Sequence, residues 1–397
     1  MVRFRLLFVT LLATACSDPR ANSNIDVEIV ENGAPAWTSE TAWRLDTAPT
    51  IRIGEVEGAP NYQFHRITGS LHLRTGTIVV ANSGSAELRF YDRTGRHIRS
   101  VGRSGQGPGE YGLLRFLRRL GPDSLITWDA RLDRGTVYST NGEYGRTFTR
   151  KRMRGFTYFL DGFPDGSLLG FSAGGDDSPE EAISLVRQSR GKIRPDSSLL
   201  IRVDPRGNVH VIGTFFSSES FAYPDGTVVS LPYARRAAVA AAQDAVYYGS
   251  ADSFEIKRFS LTGQLTQIIR TSRPNSALTP SMIESYVEQS LAQMKNPAAR
   301  ANWQRHYSEM IFPKTVPAYA DLIVDPSGNL WVGDYHDFNE SQPHWTVFDR
   351  NGRLLGTLDV PENLMVYDIG NDYVLGRTLD EFAVERVVLY RLIKPGS

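Results

Sequence analysis

From about residue 43 onward, apolar residues recur at alternate positions in short runs, and Gly, Pro, Asn and Asp punctuate those runs. Residues 71–109 show the pattern most plainly. Alternating runs there lie between turn signals at Gly76, at Asn82-Ser83-Gly84, and from Asp92 to Gly95. A period of two predicts strands with one buried face, and a leading run over 66–73 completes a four-stranded antiparallel meander. One meander cannot bury both its faces, so the pattern predicts copies that pack against one another.

The copies follow at 114–150, about 156–215, 236–270, 319–358 and 364–392. A tight turn before the last strand recurs at Gly95, Gly142, Gly207, Gly263 and Gly352. The sixth unit ends near Leu392 with no chain left for a fourth strand, and the isolated run Thr50-Ile51-Arg52-Ile53 can supply it. Pairing the two ends closes a ring and removes its exposed edges. The expected fold is therefore all-β, a six-bladed β-propeller over residues 40–394. Residues 216–233 fit either an extra hairpin or part of a seventh blade.

Gly263 and Gly352 stand nearly twice as far apart as Gly95 and Gly142, and residues 279–312 account for the surplus. Thr279-Pro280 has the form of an N-cap followed by proline at the first helical position. Ile283, Tyr286, Val287, Leu291 and Met294 then recur at helical spacing. Asn296-Pro297 starts a second helix carrying Trp303, His306, Tyr307 and Met310. This predicts an αα-hairpin between the fourth and fifth units, its stripes either packed on each other and the ring or offered to a partner.

Lys and Arg together number 44, as do Asp and Glu. That balance gives no general reason to bind nucleic acid. At the N-terminus, Arg3 and Arg5 precede the apolar stretch 6–12 and the small residues Ala13-Thr14-Ala15, a targeting signal too short to span a bilayer. Cys16 is the only cysteine, which rules out an internal disulfide or a thiolate metal cluster. The stretch resembles the lipobox of bacterial lipoproteins, with Ala13 where leucine is usual. The resemblance implies a signal peptide over 1–15, lipidation of Cys16, and a flexible tether over 16–39. Ser17, in place of the aspartate that retains such proteins at an inner membrane, favours the outer membrane. The alternative is an ordinary secretory signal cut near Ala15. Either way the mature chain is expected in the cell envelope, periplasmic or surface-exposed, and as a monomer.

The run Gly102-Arg103-Ser104-Gly105-Gln106-Gly107-Pro108-Gly109-Glu110-Tyr111 resembles the connector between blades of NHL-repeat proteins. Asp325-Pro326-Ser327-Gly328-Asn329-Leu330-Trp331-Val332 and Val347-Phe348-Asp349-Arg350-Asn351-Gly352 resemble their strand and turn strings. This resemblance implies a lipid-anchored bacterial six-bladed propeller of uncharacterised function.

In such a ring, the residues just past each second strand share one mouth: Asn82, Asp129, Ser172, Ser250, Asp334 and Arg377. They fit either a ligand site or plain turn formation. Segments leading into the first strands join them, including His65-Arg66, Leu114-Arg115, Arg235-Arg236 and Tyr319. Arg235 and Arg236 could hold a carboxylate, phosphate or sugar acid, or could pair with Asp252 or Glu255. The predicted ligand site is Asn82, Asp129, Arg235, Arg236, Tyr319, Asp334, His336 and Arg377. Its ligand is a small molecule, glycan or protein, bound without catalysis or cofactor. The alternative is a calcium site at Asn82, Asp129 and Asp334, resembling that of gluconolactonase-type hydrolases or lyases, although the glutamate those enzymes place near the first strand is missing.

Overall fold

The computed structural model describes residues 27–151, 155–173, 184, 187–335, 344–361 and 363–395; the signal segment, Cys16 and His336 lie outside them. Three N-terminal strands come first: β1 (Glu28–Asn32), β2 (Arg44–Leu45) and β3 (Ile51–Ile53). The first sheet holds β4 (Ile67–His72), β5 (Ile78–Asn82), β6 (Glu87–Tyr91) and β7 (His97–Val101). The second holds β8 (Leu114–Leu120), β9 (Ser124–Asp129), β10 (Arg134–Ser139) and β11 (Tyr144–Thr149). The third holds β12 (Phe156–Gly162), β13 (Leu168–Ala173), β14 (Lys192–Val203), β15 (Val209–Ala222) and β16 (Val228–Ser230). The fourth holds β17 (Ala238–Ala241), β18 (Ala245–Gly249), β19 (Glu255–Ser260) and β20 (Leu265–Thr271). Helices α1 (Pro280–Ala292) and α2 (Pro297–Glu309) come next. The fifth sheet holds β21 (Asp321–Val324), β22 (Leu330–Gly333), β23 (His344–Phe348) and β24 (Leu354–Asp359), and the sixth β25 (Met365–Ile369), β26 (Tyr373–Leu379) and β27 (Glu385–Ile393).

Within each sheet the strands lie in chain order, as short turns require. Aspartate sets several of those turns. Asp92 takes hydrogen bonds from the Thr94 hydroxyl and from the Thr94 and Arg96 N–H groups, which lowers its carboxyl to about 2. Gly95, beside it, has φ +84°, where a side chain would be strained.

The cores link the sheets into a cycle. Leu71, Leu88, Leu117 and Tyr138 join the first sheet to the second. Phe116, Trp128 and Leu168 join the second to the third, and Phe171, Ile212, Val239 and Tyr248 the third to the fourth. Phe254 and Phe348 pack between the fourth and fifth, Trp331, Leu358, Val374 and Val388 between the fifth and sixth. Ile53, Ile78, Tyr91 and Leu375 bring the sixth back to the first. Sheets packed face to face around a cycle are the arrangement of a β-propeller. The expected latch is present: Ile51, Arg52 and Ile53 pair with Leu389, Val388 and Val387.

One expectation changes and one is resolved. Part of the tether predicted over 16–39 is ordered, since β1 adds in parallel to the outer edge of β20. Asn32 then donates to the Gly352 carbonyl at 2.9 Å and accepts from the Leu354 N–H at 2.7 Å, tying that edge to the fifth sheet. An exposed strand edge with unpaired N–H and C=O groups recruits such a segment. Of the two readings for residues 216–233, the extra hairpin is the one that forms. β15 runs on to Ala222 and β16 pairs with it, so they lengthen the third sheet.

Candidate functional site at the start of the innermost strands

The first strand of each sheet, β4, β8, β12, β17, β21 and β25, is innermost, and most of these pack directly on the next. In β4, β8, β12 and β25 the register breaks, leaving Thr68, Arg115, Leu160 and Tyr367 as the extra residues of bulges. Bulges re-aim side chains, here along the ring's inner wall. Thr68 donates to the Leu114 carbonyl and Tyr367 to the Ile67 carbonyl at 3.0 Å. Burial raises the Tyr367 hydroxyl to about 12, against the pull of Arg377.

At the end where these strands begin stand Arg66, Arg115, Phe156, Arg236 and Met365. Among the described residues, the guanidinium groups of Arg66, Arg115 and Arg236 have no ion-pair or hydrogen-bond partner. Arg236 lies within electrostatic reach of Tyr158, whose hydroxyl burial nevertheless pushes up. Phe156 and Met365 are 61% and 51% exposed, and Phe382, in the β26–β27 loop at the same end, is 77% exposed.

The structure gives every predicted residue except His336 a definite setting. Asn82 is buried; its side chain accepts from the His65 N–H at 2.8 Å and donates to the Ser85 hydroxyl at 2.7 Å. Asp129, also buried, accepts from the N–H groups of Gly112, Leu113, Arg131 and Leu132. Both side chains fasten the segment leading into their sheet's first strand, which leaves their oxygens occupied. Tyr319 is buried, donating to the Glu255 carbonyl at 2.8 Å and accepting from the Ala251 N–H at 3.2 Å. Arg377 pairs with Glu385, which also accepts from the Ile67 N–H. Asp334 takes both terminal nitrogens of Arg273, at 2.8 and 2.9 Å.

Arg235 binds Glu219 and Asp252 and lies over the Phe216 ring. Its bonds to Glu219 hold the guanidinium above its ordinary value despite partial burial. Of the two partners weighed from sequence, Asp252 is used, while Glu255 pairs with Arg270 and Lys257. Arg236 is the unpaired member of the couple, and His336 lies outside the described residues. Among the described residues, no group of three or more His, Cys, Asp or Glu side chains is placed to share a metal.

Arg273, Glu219 and Glu385 decide which predicted residues remain open. Arg273 lies far along the chain from Asp334, while Glu219 and Glu385 stand 16 and 8 residues from their arginines, where spacing alone does not select the pair. Arg66 and Arg115 were visible at the strand starts, but their lack of partners was not.

A wall rises beside this mouth. The long strands β14 and β15 rise here; Phe221 of β15 and Tyr223 just past its end form a core with Leu231, Ala234 and Met310. Thr279 caps α1 by accepting from the Met282 N–H, and Asn296 caps α2 by accepting from the Ala298 and Ala299 N–H groups. The stripes face inward: Tyr286 and Trp303 pack on Tyr307, Tyr223 donates to the His306 carbonyl at 2.8 Å, and Tyr233 to the Met282 carbonyl at 3.1 Å.

The opposite end is interlocked. Asp368 accepts from the His72 N–H at 2.9 Å, from the Tyr373 hydroxyl at 3.0 Å and from Arg119, which also reaches the His72 carbonyl. Burial opposes the Arg119 charge, but Asp368 wins and holds the guanidinium above its ordinary value. Asp161 has a matching place, accepting from Arg118 at 3.0 Å and from the Ala241 N–H of the next sheet at 2.8 Å.

No protein-family profile matches this sequence, and no curated protein matches it in sequence. Solved structures do match in shape. A member of the DUF4221 family from Bacteroides vulgatus aligns at a TM-score of 0.50 and 11% identity, covering 89% of this chain and 99% of its own. An exported protein from Bacteroides fragilis aligns at 0.47 and 12%, covering 93% and 100%. A gluconolactonase from Xanthomonas campestris aligns at 0.41 and 14%, covering 83% and 87%. At these identities the likeness concerns fold alone. The chain is a β-propeller whose inner strands start at an arginine-bearing mouth. No helix among the described residues is long and apolar enough to cross a membrane.

Proposed function

We propose that the protein is a six-bladed propeller with an αα-hairpin inserted between blades four and five, exported and held to the outer membrane through a lipid on Cys16. Its mouth binds a protein or peptide that presents carboxylates beside apolar side chains, and it performs no catalysis. One observation carries this reading: the unpaired Arg66, Arg115 and Arg236 share an end of the ring with exposed Phe156, Met365 and Phe382. Arginine, phenylalanine and methionine are enriched where protein surfaces meet, and guanidinium forks match carboxylates. The acids that could serve a metal or a proton transfer, Asp129, Asp334 and Glu385, are engaged by N–H groups or arginines of this chain.

Fluorescence polarisation against a panel of labelled peptides tests this. Peptides combining Asp or Glu with Phe or Leu should bind, and the double variant Arg115→Ala/Arg236→Ala should lose at least about tenfold in affinity, as expected for removing interface arginines. Equal binding of neutral peptides, or no loss in the variant, defeats the proposal. Calcium-dependent opening of a lactone that persists in the same variant would move the assignment to a hydrolase.

A further inference from the structure

A second site lies at the far end of the ring, where the N-terminal strand closes it. Between the sixth and first sheets there is an open cleft of about 320 Å³. Ile51 of β3 and Leu389 of β27 supply apolar lining, while His72, Arg93, Asp372 and Arg391 supply polar groups. Among the described residues, the side chains of Arg93, Asp372 and Arg391 form no ion pair or hydrogen bond. At this end Arg119 and Arg118 are cross-linked to Asp368 and Asp161, whereas the three charges lining this space are not. Unpaired charges around a concave, partly apolar space, at the low end of the volumes ligand sites occupy, mark a place for a small molecule.

We infer that this seam pocket binds a small organic carboxylate bearing a hydroxyl or ammonium group beside the acid. Two guanidinium groups offer forks that fit a carboxylate. Asp372 accepts a hydrogen bond from the neighbouring donor, and Ile51 with Leu389 receives an aliphatic tail. The His72 ring packs edge-on against Tyr373 at 4.5 Å and forms one wall. A ligand here touches both the latch strand and the strand it pairs with, so binding favours the closed ring over any state in which β3 has left.

The test uses the mature protein with 2-hydroxyisocaproate, L-leucine and, lacking the donor, isocaproate. At saturation the first two should raise the melting midpoint by about 3 °C, the scale expected for tight occupancy of a chain this long. By calorimetric titration, isocaproate should bind about fivefold more weakly, the worth of one hydrogen bond. Arg93→Ala/Arg391→Ala alters exposed side chains and should fold normally by circular dichroism while losing the response; Asp372→Asn should erase the preference for the donor. Arg115→Ala/Arg236→Ala at the mouth should keep the full effect, so this site and the mouth fail or stand separately. No rise with either compound, or an unchanged rise in Arg93→Ala/Arg391→Ala, overturns the inference.

Discussion

The two ends of the ring use similar residues for opposite ends. Where the innermost strands finish, Arg118, Arg119, Asp161 and Asp368 bond across sheets and fix the spacing of neighbours. Where they start, Glu385 with Arg377 also ties the sixth sheet to the first, but Arg66, Arg115 and Arg236 are left open. An arginine in a propeller is therefore informative only together with its partner: paired to the next sheet it is a strut, and unpaired at a mouth it is a contact for something else. The same rule separates Arg235, bound to Glu219 and Asp252, from its neighbour Arg236.

This contrast can be broken first at its strongest point. Asp368→Ala should cost about 3–5 kcal/mol in chemical unfolding, because it strands the half-buried Arg119 charge and the His72 N–H together. A loss below about 1 kcal/mol would show that the interlocked end is no strut. The latch comes next: Ile53, 1% exposed, should cost about 2–4 kcal/mol on truncation to alanine, read from the same experiment.

A smaller effect sharpens the comparison through pH. Burial lowers the His72 imidazole below its ordinary 6.5, ahead of the opposing pull of Asp368 and Asp372 and the aiding push of Arg119. The unfolded chain therefore takes up this proton first as pH falls. The contribution is complete above about 6.5 and is lost as pH drops from there through the folded-state value. His72→Gln should flatten the dependence of unfolding free energy on pH below 6.5; an unchanged slope would place the titration elsewhere. Smallest of all, Arg236→Ala should move stability by no more than about 0.5 kcal/mol, as expected of a side chain without partners. A larger loss would mean that Arg236 is itself a strut.

Much of this molecule is legible along the chain. The alternation over 71–109, the repeated glycine turns, the two Pro-started helices and the run Thr50 to Ile53 each report on neighbours a few residues away, or on a pattern repeated down the sequence. That is why they yield strands, turns, caps and even the latch. The strand at Glu28–Asn32 was missed because its partner, β20, lies far along the chain and nothing local announces an open edge there.

The site was less legible, because a polar residue beside a turn has several partners within reach and the pattern does not choose among them. Asn82 and Asp129 look like ligands in a row of polar residues, yet each is taken up by the N–H groups of its own sheet. Asp334 is committed to Arg273, and Arg377 to Glu385. Residue types and their spacing determined that a ring of meanders would form and that charged side chains would gather at its two ends. Only the tertiary structure decided which charges found partners, because an ion pair depends on a few ångströms across sheets, and the period of the chain carries no record of that distance.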